Sequence, residues 1–313
     1  MQTTNPYFSN QPIRTLNTKA NISAHWNTKL FVLLCSVYSM LLFISGCTKS
    51  ETMPAYLNVT GMQLLTQSEQ GTASVNIKYV WVFANSQSLG VYELPASVPI
   101  LEEGTTQIVL RAGIMNNGIS NTRSIYPFYA PDTFTVQLSP LQNVNRSSLI
   151  RYTSNTAFAL NADFEVGNSF NDTNPEISLL TVTSHPNNVF EGARSAMLTL
   201  SGANTEFEIG TLDKFILPGN KMAVYLEMNY KCDQPFLVSL IGTNNSGNGA
   251  ALPQLYVNKK ETWNKIYIDL TETVSAFNLQ GLNQIQLIFK AELNEDLDQA
   301  TFFWDNVKIL YQL

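Results

Sequence analysis

The sequence predicts an all-β fold with two β-sandwiches in series, placed behind an export signal. Short runs of alternating apolar and polar residues, bounded by Gly, Asn, Pro and Asp, dominate the chain after residue 47. The periodicity of amphipathic helices is almost absent over the same stretch. Roughly 265 residues follow that point, which is more than one ordinary domain contains and enough for two.

The N-terminal segment has the features of an export signal. Residues 30–44 contain no charged side chain, and the preceding stretch carries Arg14, Lys19 and Lys29 without an acidic residue. A helix that spans a membrane needs about 20 apolar residues, whereas the apolar core of a secretory signal has about 7–15. The fifteen residues of this run therefore predict a signal peptide.

The apolar run ends on Ile44-Ser45-Gly46-Cys47 and turns polar at the next residue. This tetrapeptide resembles the lipobox of bacterial lipoproteins, in which small residues precede a cysteine that becomes acylated. The resemblance implies a cleaved signal peptide over residues 1–46, lipid on Cys47 and a short tether over residues 47–53. Several acyl chains would hold the protein to a membrane without spanning it. The alternative is an uncleaved signal anchor in which Cys47 has no role.

The charge balance disfavours one class of partner. Removal of residues 1–46 would take away three of the 18 basic residues and none of the 24 acidic ones, which leaves a net charge of −9. Nucleic acid is therefore not expected to bind, because Lys and Arg contacts to phosphate dominate such binding.

Two reactive residue types are nearly absent from the predicted mature chain. Cys232 would be its single free thiol, and the alternating flanks predict a small buried strand residue. His185, its one histidine, precedes Pro186 and is predicted to lie in a loop. Neither residue has neighbours in the sequence that predict a metal or catalytic site.

The first unit is predicted over residues 54–140. Its strands are expected at residues 75–83, 89–94, 106–112 and 133–138. The series VWVFANSQSLGVYELPASVPILEEGTTQIVLRAGI, at residues 80–114, resembles PEGA-like and related immunoglobulin-like modules of bacterial surface proteins. The resemblance implies an immunoglobulin-like sandwich that acts as a spacer or docking unit, and it assigns no site residues. Residues 141–155 are polar and lack strand-length apolar runs, so they predict a linker, with a short strand at 149–152 that could belong to either side.

The second unit is predicted over residues 156–313. Four segments resemble, in order and spacing, the jelly-roll, galactose-binding-like domains common among carbohydrate-binding modules. The segments are Ala162–Glu165, Glu191–Met197, Trp263–Leu270 and Phe303–Ile309. Together with the lipobox, this layout also looks like that of surface lipoproteins of Bacteroidetes, many of which capture glycans.

The jelly-roll resemblance implies a structural calcium ion where the first and last strands meet. The matching oxygen donors would be Glu165 and Asp305, with Asp163, and backbone carbonyls near Glu191 would complete the shell of 6–8 ligands. The alternative is that Asp305 caps a strand end while Asp163 and Glu165 face solvent. The acidic run at residues 292–298 lacks EF-hand spacing and predicts a solvated loop.

A carbohydrate site would need exposed aromatic faces beside amide or carboxylate groups. Most aromatic residues of the second unit are expected in its core, and the polar loop 243–249 could form the rim of a site. The candidates are Tyr225, Tyr230, Tyr256, Trp263, Tyr267 and Trp304.

These features predict a lipid-anchored protein of the outer membrane, with the cell surface favoured over the periplasmic face. Its expected function is non-catalytic binding of polysaccharide or glycoconjugate, on a jelly-roll held away from the bilayer by the first unit. A structural lipoprotein that contacts other envelope proteins is the first alternative. A carbohydrate-active hydrolase or lyase is the second, although no motif fixes a pair of carboxylates at the required spacing.

Overall fold

The computed structural model describes residues 30–39, 52–174 and 179–313. Residues 30–39 form a helix, α1, whose side chains are exposed. Within these ranges no helix has both the length and the apolar character needed to cross a membrane. Residues 53–313 form a compact unit of their own. The predicted acylation site, Cys47, lies outside the described residues.

The first sandwich consists of two sheets that enclose an apolar core. A three-stranded sheet has the order β4-β1-β8, and a five-stranded sheet has the order β3-β2-β5-β6 with β7 also paired to β5. The strands are β1 (Ala55–Leu64), β2 (Tyr79–Ala84), β3 (Gln87–Glu93), β4 (Ala96–Ile100), β5 (Gly104–Met115), β6 (Arg123–Ile125), β7 (Asp132–Leu138) and β8 (Asn143–Ile150).

Local sequence explains the central hairpin of this sandwich. Strand β2 alternates half-buried and buried residues, so Val80 and Val82 face the core. The turn to β3 places Asn85 and Ser86 at φ values of 46° and 68°. Two consecutive positive φ values are typical of the type I′ turn, whose twist matches that of the flanking strands.

The predicted linker at residues 141–155 is wrong for most of its length. Residues Asn143–Ile150 form β8, which runs parallel to β1 and completes the smaller sheet. Only Ser148 and Ile150 of this strand are buried, so its sequence lacks the apolar alternation by which a strand is recognised. The chain therefore passes from one sandwich to the other within about five residues, at 151–155.

The second sandwich pairs a six-stranded sheet with a five-stranded one. The six-stranded sheet, called the inner sheet here, has the order β11-β12-β19-β14-β17 with β9 also paired to β19. The five-stranded sheet, the outer sheet, has the order β10-β13-β18-β15-β16. The strands are β9 (Thr156–Ala162), β10 (Phe170–Asp172), β11 (Thr181–Thr183), β12 (Ser195–Ser201), β13 (Glu206–Thr211), β14 (Val224–Cys232), β15 (Phe236–Thr243), β16 (Gly249–Val257), β17 (Lys260–Asp269), β18 (Gln284–Glu292) and β19 (Gln299–Gln312).

The predicted all-β class with two sandwiches in series is confirmed. The long last strand, β19, pairs with β12 along its first half and with the entry strand β9 along its second half. A short helix, α2 (Thr271–Leu279), was not predicted. It buries Val274 and Phe277 one turn apart, and nine residues are too few to show a clear helical period.

Strand β14 shows how the two sandwiches meet. Its inward residues, among them Leu226 and Met228, pack in the core of the second sandwich. Its outward residues Tyr225, Glu227 and Asn229 are buried as well, because the first sandwich covers this face of the inner sheet. A strand buried on both faces in this way is unusual for an antiparallel sandwich, where one face commonly meets water.

Candidate functional site

A network of ionisable side chains lies buried where the sandwiches meet. Nζ of Lys265 on β17 lies 2.7 Å from Oε2 of Glu227 on β14. The contact is an ion pair rather than a well-aligned hydrogen bond, because Nζ has no acceptor in hydrogen-bond geometry among the described residues. Two tyrosine hydroxyls donate to the same carboxylate. That of Tyr126, in the first sandwich, lies 2.7 Å from Oε1, and that of Tyr152, in the segment between the sandwiches, lies 3.2 Å from Oε2.

The connection between β1 and β2, residues 65–78, lies along the outward face of the inner sheet. Lys308 Nζ on β19 donates to the carbonyl oxygens of Gln70 and Thr72. Asn76 donates from its side chain to the carbonyl of Lys265, at 2.8 Å, and its backbone N–H donates to the hydroxyl of Tyr267, at 3.0 Å. The first sandwich is thus fixed to three adjacent strands of the second through side-chain and backbone groups.

Burial and charge set the protonation of this network. Burial alone would raise the pKa of the Glu227 carboxyl, but Lys265, Lys308 and the hydrogen bond from Tyr126 outweigh it and hold that pKa below its ordinary value. Burial lowers the pKa of Lys308 to about 8, and the charge of Glu227 opposes that shift. Burial, followed by the negative charge of Glu227, raises the pKa of four tyrosine hydroxyls above 10: Tyr126, Tyr129, Tyr152 and Tyr267.

A cleft of about 320 Å³ opens beside this network, at the edges of both sheets of the second sandwich. Strands β16 and β17 form one side, and residues 115–119 of the first sandwich form the other. The turn at 115–119 is held to the edge of β17 by a hydrogen bond from the backbone N–H of Asn117 to the carbonyl of Tyr267, at 2.9 Å. Both sandwiches therefore build the cleft. Its lining consists of Asn76, Met115, Asn117, Gly118, Ile119, Tyr230, Leu255, Tyr256, Val257, Asn258, Lys260, Asn264, Lys265, Ile266 and Tyr267.

Tyr256 is the exposed aromatic residue of this cleft. It lies on β16, at the edge of the outer sheet, opposite Leu237 of β15, and 68% of its surface is exposed. Four asparagines line the same cleft, and three of them are held at one end of the amide. Asn264 donates from its Nδ2 to the carbonyl of Lys265, at 3.3 Å. Asn76 uses its Nδ2 to bond Lys265, and Asn117 uses its Oδ1 to accept from the backbone N–H of Asp269, at 3.0 Å. The remaining end of each amide can hydrogen-bond to a ligand hydroxyl.

The other predicted aromatic candidates do not offer a free face. Tyr225, Tyr230, Tyr267 and Trp304 are buried, and Trp304 stacks on Phe302 in the second core. Trp263 is half-buried and packs against Phe190 and Phe303, with Lys231 Nζ 5.7 Å from the centre of its ring. Tyr256 is therefore the one candidate of the six that combines high exposure with a place in a cleft.

The three carboxylates predicted to bind calcium line one depression of about 310 Å³, together with Glu191. Oε1 of Glu165 accepts backbone N–H bonds from Ala193 and Arg194, at 2.8 and 3.0 Å. Oδ1 of Asp163 accepts from the backbone N–H of Glu165, at 3.1 Å. In the described ranges no three His, Cys, Asp or Glu side chains are arranged to hold a metal ion.

Asp305 is the buried member of this group. Its Oδ2 accepts from the hydroxyl of Ser195, at 2.7 Å, and its Oδ1 from the backbone N–H of Asn306, at 2.8 Å. Burial nevertheless raises the pKa of Asp305 to about 6, against the effect of these hydrogen bonds. As arranged, the carboxylates hold loop backbone in place, and calcium binding stays a prediction.

The two residues predicted to be inert occupy the expected kinds of position. Cys232 is buried in the second core, and burial raises the pKa of its thiol to about 11, which keeps it protonated near neutral pH. His185 is exposed and precedes a 3₁₀ turn (Pro186–Asn188), where its ring accepts from the backbone N–H of Asn187.

The polar residues of the cleft were missed by the sequence-based prediction, among them Asn76, Asn117 and Lys260. Asn76 and Asn117 belong to the first sandwich, and Lys260 begins β17. Their neighbours in sequence show no motif, and Asn76 and Asn117 approach Tyr256 only because the first sandwich docks on the inner sheet. Their polar character in turns is ordinary for a β protein, so no local signal could have selected them.

No protein-family model matches the chain. No curated protein matches it either. Among solved structures, the chain is similar to TmCBM61 in complex with β-1,4-galactotriose, at 13% identity and a TM-score of 0.34 over 50% of this chain and 99% of that chain. It is similar to the C-terminal family 22 carbohydrate-binding module of Clostridium thermocellum Xyn10B, at 12% identity and a TM-score of 0.35 over 51% and 97%.

The chain is also similar to the enzymatically active domain of tailspike protein 4 of bacteriophage CBA120, at 14% identity and a TM-score of 0.35. That match covers 51% of this chain, which spans only 20% of the tailspike chain. Likenesses at these identities and TM-scores carry no argument about function, and the fold stands on the sheets themselves.

Proposed function

We propose that residues 53–313 form a non-catalytic saccharide-binding module whose site is the cleft beside Tyr256. The observation that carries the proposal is the exposed ring of Tyr256 at a cleft lined by four asparagines. A sugar ring has an apolar face that packs on an aromatic ring, while its hydroxyls need fixed donors and acceptors. The cleft offers both, and its volume is within the range of small-ligand sites.

The residues that line the cleft also bear on catalysis. Among those described there, none is Asp, Glu, His, Ser or Cys. A glycoside hydrolase generally needs two carboxylates that flank the scissile bond. Binding without cleavage is therefore the function that this lining supports.

The proposal places the module on a membrane through lipid at Cys47. Its support is the lipobox-like tetrapeptide at residues 44–47 and the fifteen uncharged residues before it. The acyl chains would hold the chain to the outer membrane of a bacterial envelope, and a glycan-binding cleft is most useful on the surface that faces the medium. A structural calcium ion at Asp163, Glu165 and Asp305 is part of the same proposal.

Binding of purified residues 53–313 to a panel of neutral and acidic oligosaccharides, followed by calorimetry, tests the function. Tyr256→Ala is expected to weaken any binding about tenfold or more, because the stacking surface is lost. Tyr256→Phe keeps the ring and is expected to retain most of the affinity.

Leu279→Ala is the matched control, since Leu279 is 87% exposed and does not line the cleft. A saturable ligand whose affinity is the same in wild type and Tyr256→Ala would place binding elsewhere. No binding across the panel would count against the saccharide proposal and favour contact with other envelope proteins.

A further inference from the structure

The cleft differs in charge from the rest of the chain. The sequence has 24 acidic and 18 basic residues. Of the fifteen described residues that line the cleft, two are lysines and none is acidic. An anionic ligand would therefore meet no carboxylate among those residues, although the protein carries a net negative charge.

The two lysines of the cleft have different roles. Lys265 is buried and its charge is balanced by Glu227, 2.7 Å away. Lys260 is exposed, and among the described residues it has no side-chain hydrogen bond or ion-pair partner. Its two neighbours in sequence are paired with each other, since Lys259 Nζ lies 3.4 Å from Oε1 of Glu261. Lys260 is thus the cation that is available to a ligand in the cleft.

The position of Lys260 is fixed by the sheet. It is the first residue of β17 and lies opposite Cys232 of β14, in the register that follows a bulge. Only residues 258 and 259 separate it from β16, which carries Tyr256. Tyr256 and Lys260 therefore lie at the two ends of a short connection from the outer sheet to the inner sheet, and both residues line the cleft.

We propose that the cleft takes an acidic saccharide, with Tyr256 against the sugar ring and Lys260 paired with the anionic group. This inference rests on the proposed function and narrows its ligand class. The ammonium of lysine is a point charge, so it accepts either the carboxylate of a uronate or a sulfate ester. The pair is exposed, so its contribution is modest and decreases with salt.

Trigalacturonate and its methyl ester test the inference, because they share a backbone and differ in charge. Sulfated and unsulfated dextran oligosaccharides form a second arm that separates the sulfate ester from the carboxylate. With residues 53–313, an acidic member is expected to bind roughly fivefold tighter than its neutral partner, as one exposed ion pair allows. Raising the salt from about 50 mM to about 500 mM is expected to remove most of that difference.

Lys260→Gln is expected to abolish the preference for the acidic member over the neutral one. Lys259→Gln is the matched control, since it removes a neighbouring charge that is already paired, and it is expected to keep the preference. Equal loss of the preference in Lys260→Gln and Lys259→Gln would show that the acidic saccharide is attracted to the positive charge of the whole turn, and it would overturn the inference.

The outcome also separates this inference from the proposed function. Equal binding of acidic and neutral members that depends on Tyr256 would reject the acidic preference and leave the saccharide site intact. Absence of binding to both members, and to the wider panel, would reject the saccharide site itself. A preference for the uronate would support the inference and identify the anion as a carboxylate. A preference for the sulfated oligosaccharide would support it equally and identify the anion as a sulfate ester.

Discussion

Nζ of Lys265 lies 2.7 Å from Oε2 of Glu227, and both side chains are almost completely buried between the two sandwiches. Both residues belong to the second sandwich, but the hydroxyl of Tyr126 in the first donates to the same carboxylate. Groups of the first sandwich, such as the hydroxyl of Tyr126, therefore surround this charge pair in place of water. The first sandwich is therefore fixed to the second, and it contributes one wall of the cleft.

The first prediction concerns this ion pair. Lys265→Met would leave the carboxylate of Glu227 buried without its nearest cation, and the expected loss is about 3–5 kcal/mol in the free energy of unfolding. Urea unfolding of residues 53–313 measures it. Lys290→Met is the control: Lys290 pairs with Glu208 at 3.3 Å with both side chains partly exposed, so a loss of at most about 1 kcal/mol is expected. A similarly small loss in the free energy of unfolding of Lys265→Met and Lys290→Met would show that the buried ion pair does not stabilise the fold more than the exposed one.

Local pattern predicted the all-β class and the two sandwiches, because alternation along one strand records which face meets a core, but it predicted no strand over β1 (Ala55–Leu64). It failed for β8, whose residues Asn143–Ile150 are largely polar and are held by parallel pairing to β1. It also gives no sign that Glu227, Lys265 and Lys308 are buried. Polar residues at alternate positions predict a face toward solvent, and only the docking of the first sandwich buries them.

The site shows the same limit. Six aromatic residues were candidates from the sequence, and their exposure in the folded chain separates Tyr256 from the rest. Asn117 lies about 140 residues before Tyr256 in the sequence, and the two meet because the turn at 115–119 adds to the edge of β17. Contacts between residues so far apart in the sequence produce no periodic pattern from which they could be predicted. Lys260, by contrast, lies close to Tyr256 in the sequence, but nothing there shows that its neighbours are paired.

The second prediction concerns calcium at the depression formed by Asp163, Glu165, Glu191 and Asp305. If the ion binds there, calcium is expected to raise the melting temperature of residues 53–313 relative to chelator, because it binds the folded state only. Thermal unfolding at pH 7 with calcium and with chelator measures the shift. Asp305→Asn is expected to remove the calcium effect, whereas Asp213→Asn, outside the depression, is expected to keep it. An unmoved transition in the wild type would reject the site.

The third prediction concerns the anchor. Cys47→Ala in the full chain is expected to abolish labelling by a fatty-acid analogue and to release the protein from membranes, because it removes the residue that would carry the acyl groups. Labelling followed by membrane fractionation measures both effects. Cys35→Ala is the matched control: Cys35 lies within the apolar run, and its loss is expected to leave labelling intact. Labelling that persists in Cys47→Ala would reject the lipoprotein.

The fourth prediction concerns pH and the buried Lys308. Its pKa in the folded chain, about 8, lies below the ordinary value of 10.5. Between these values the unfolded chain binds more protons than the folded chain, so this group makes the protein more stable as the pH rises. Above about pH 10 the tyrosines with raised pKa act in the opposite direction, because the folded chain retains their protons. The contribution of Lys308 should therefore be visible from about pH 8 to about pH 10.

Urea unfolding of wild type and Lys308→Met at several pH values across this window measures that contribution. The wild type is expected to gain stability relative to Lys308→Met as the pH rises, since the methionine has no charge to desolvate. The difference in slope is the readout, so a constant loss of stability in the variant does not affect it. Lys290→Met, at the partly exposed pair with Glu208, is expected to follow the wild-type slope. Parallel curves for wild type and Lys308→Met would show that the folded chain keeps this lysine protonated throughout, with the charge of Glu227 outweighing burial.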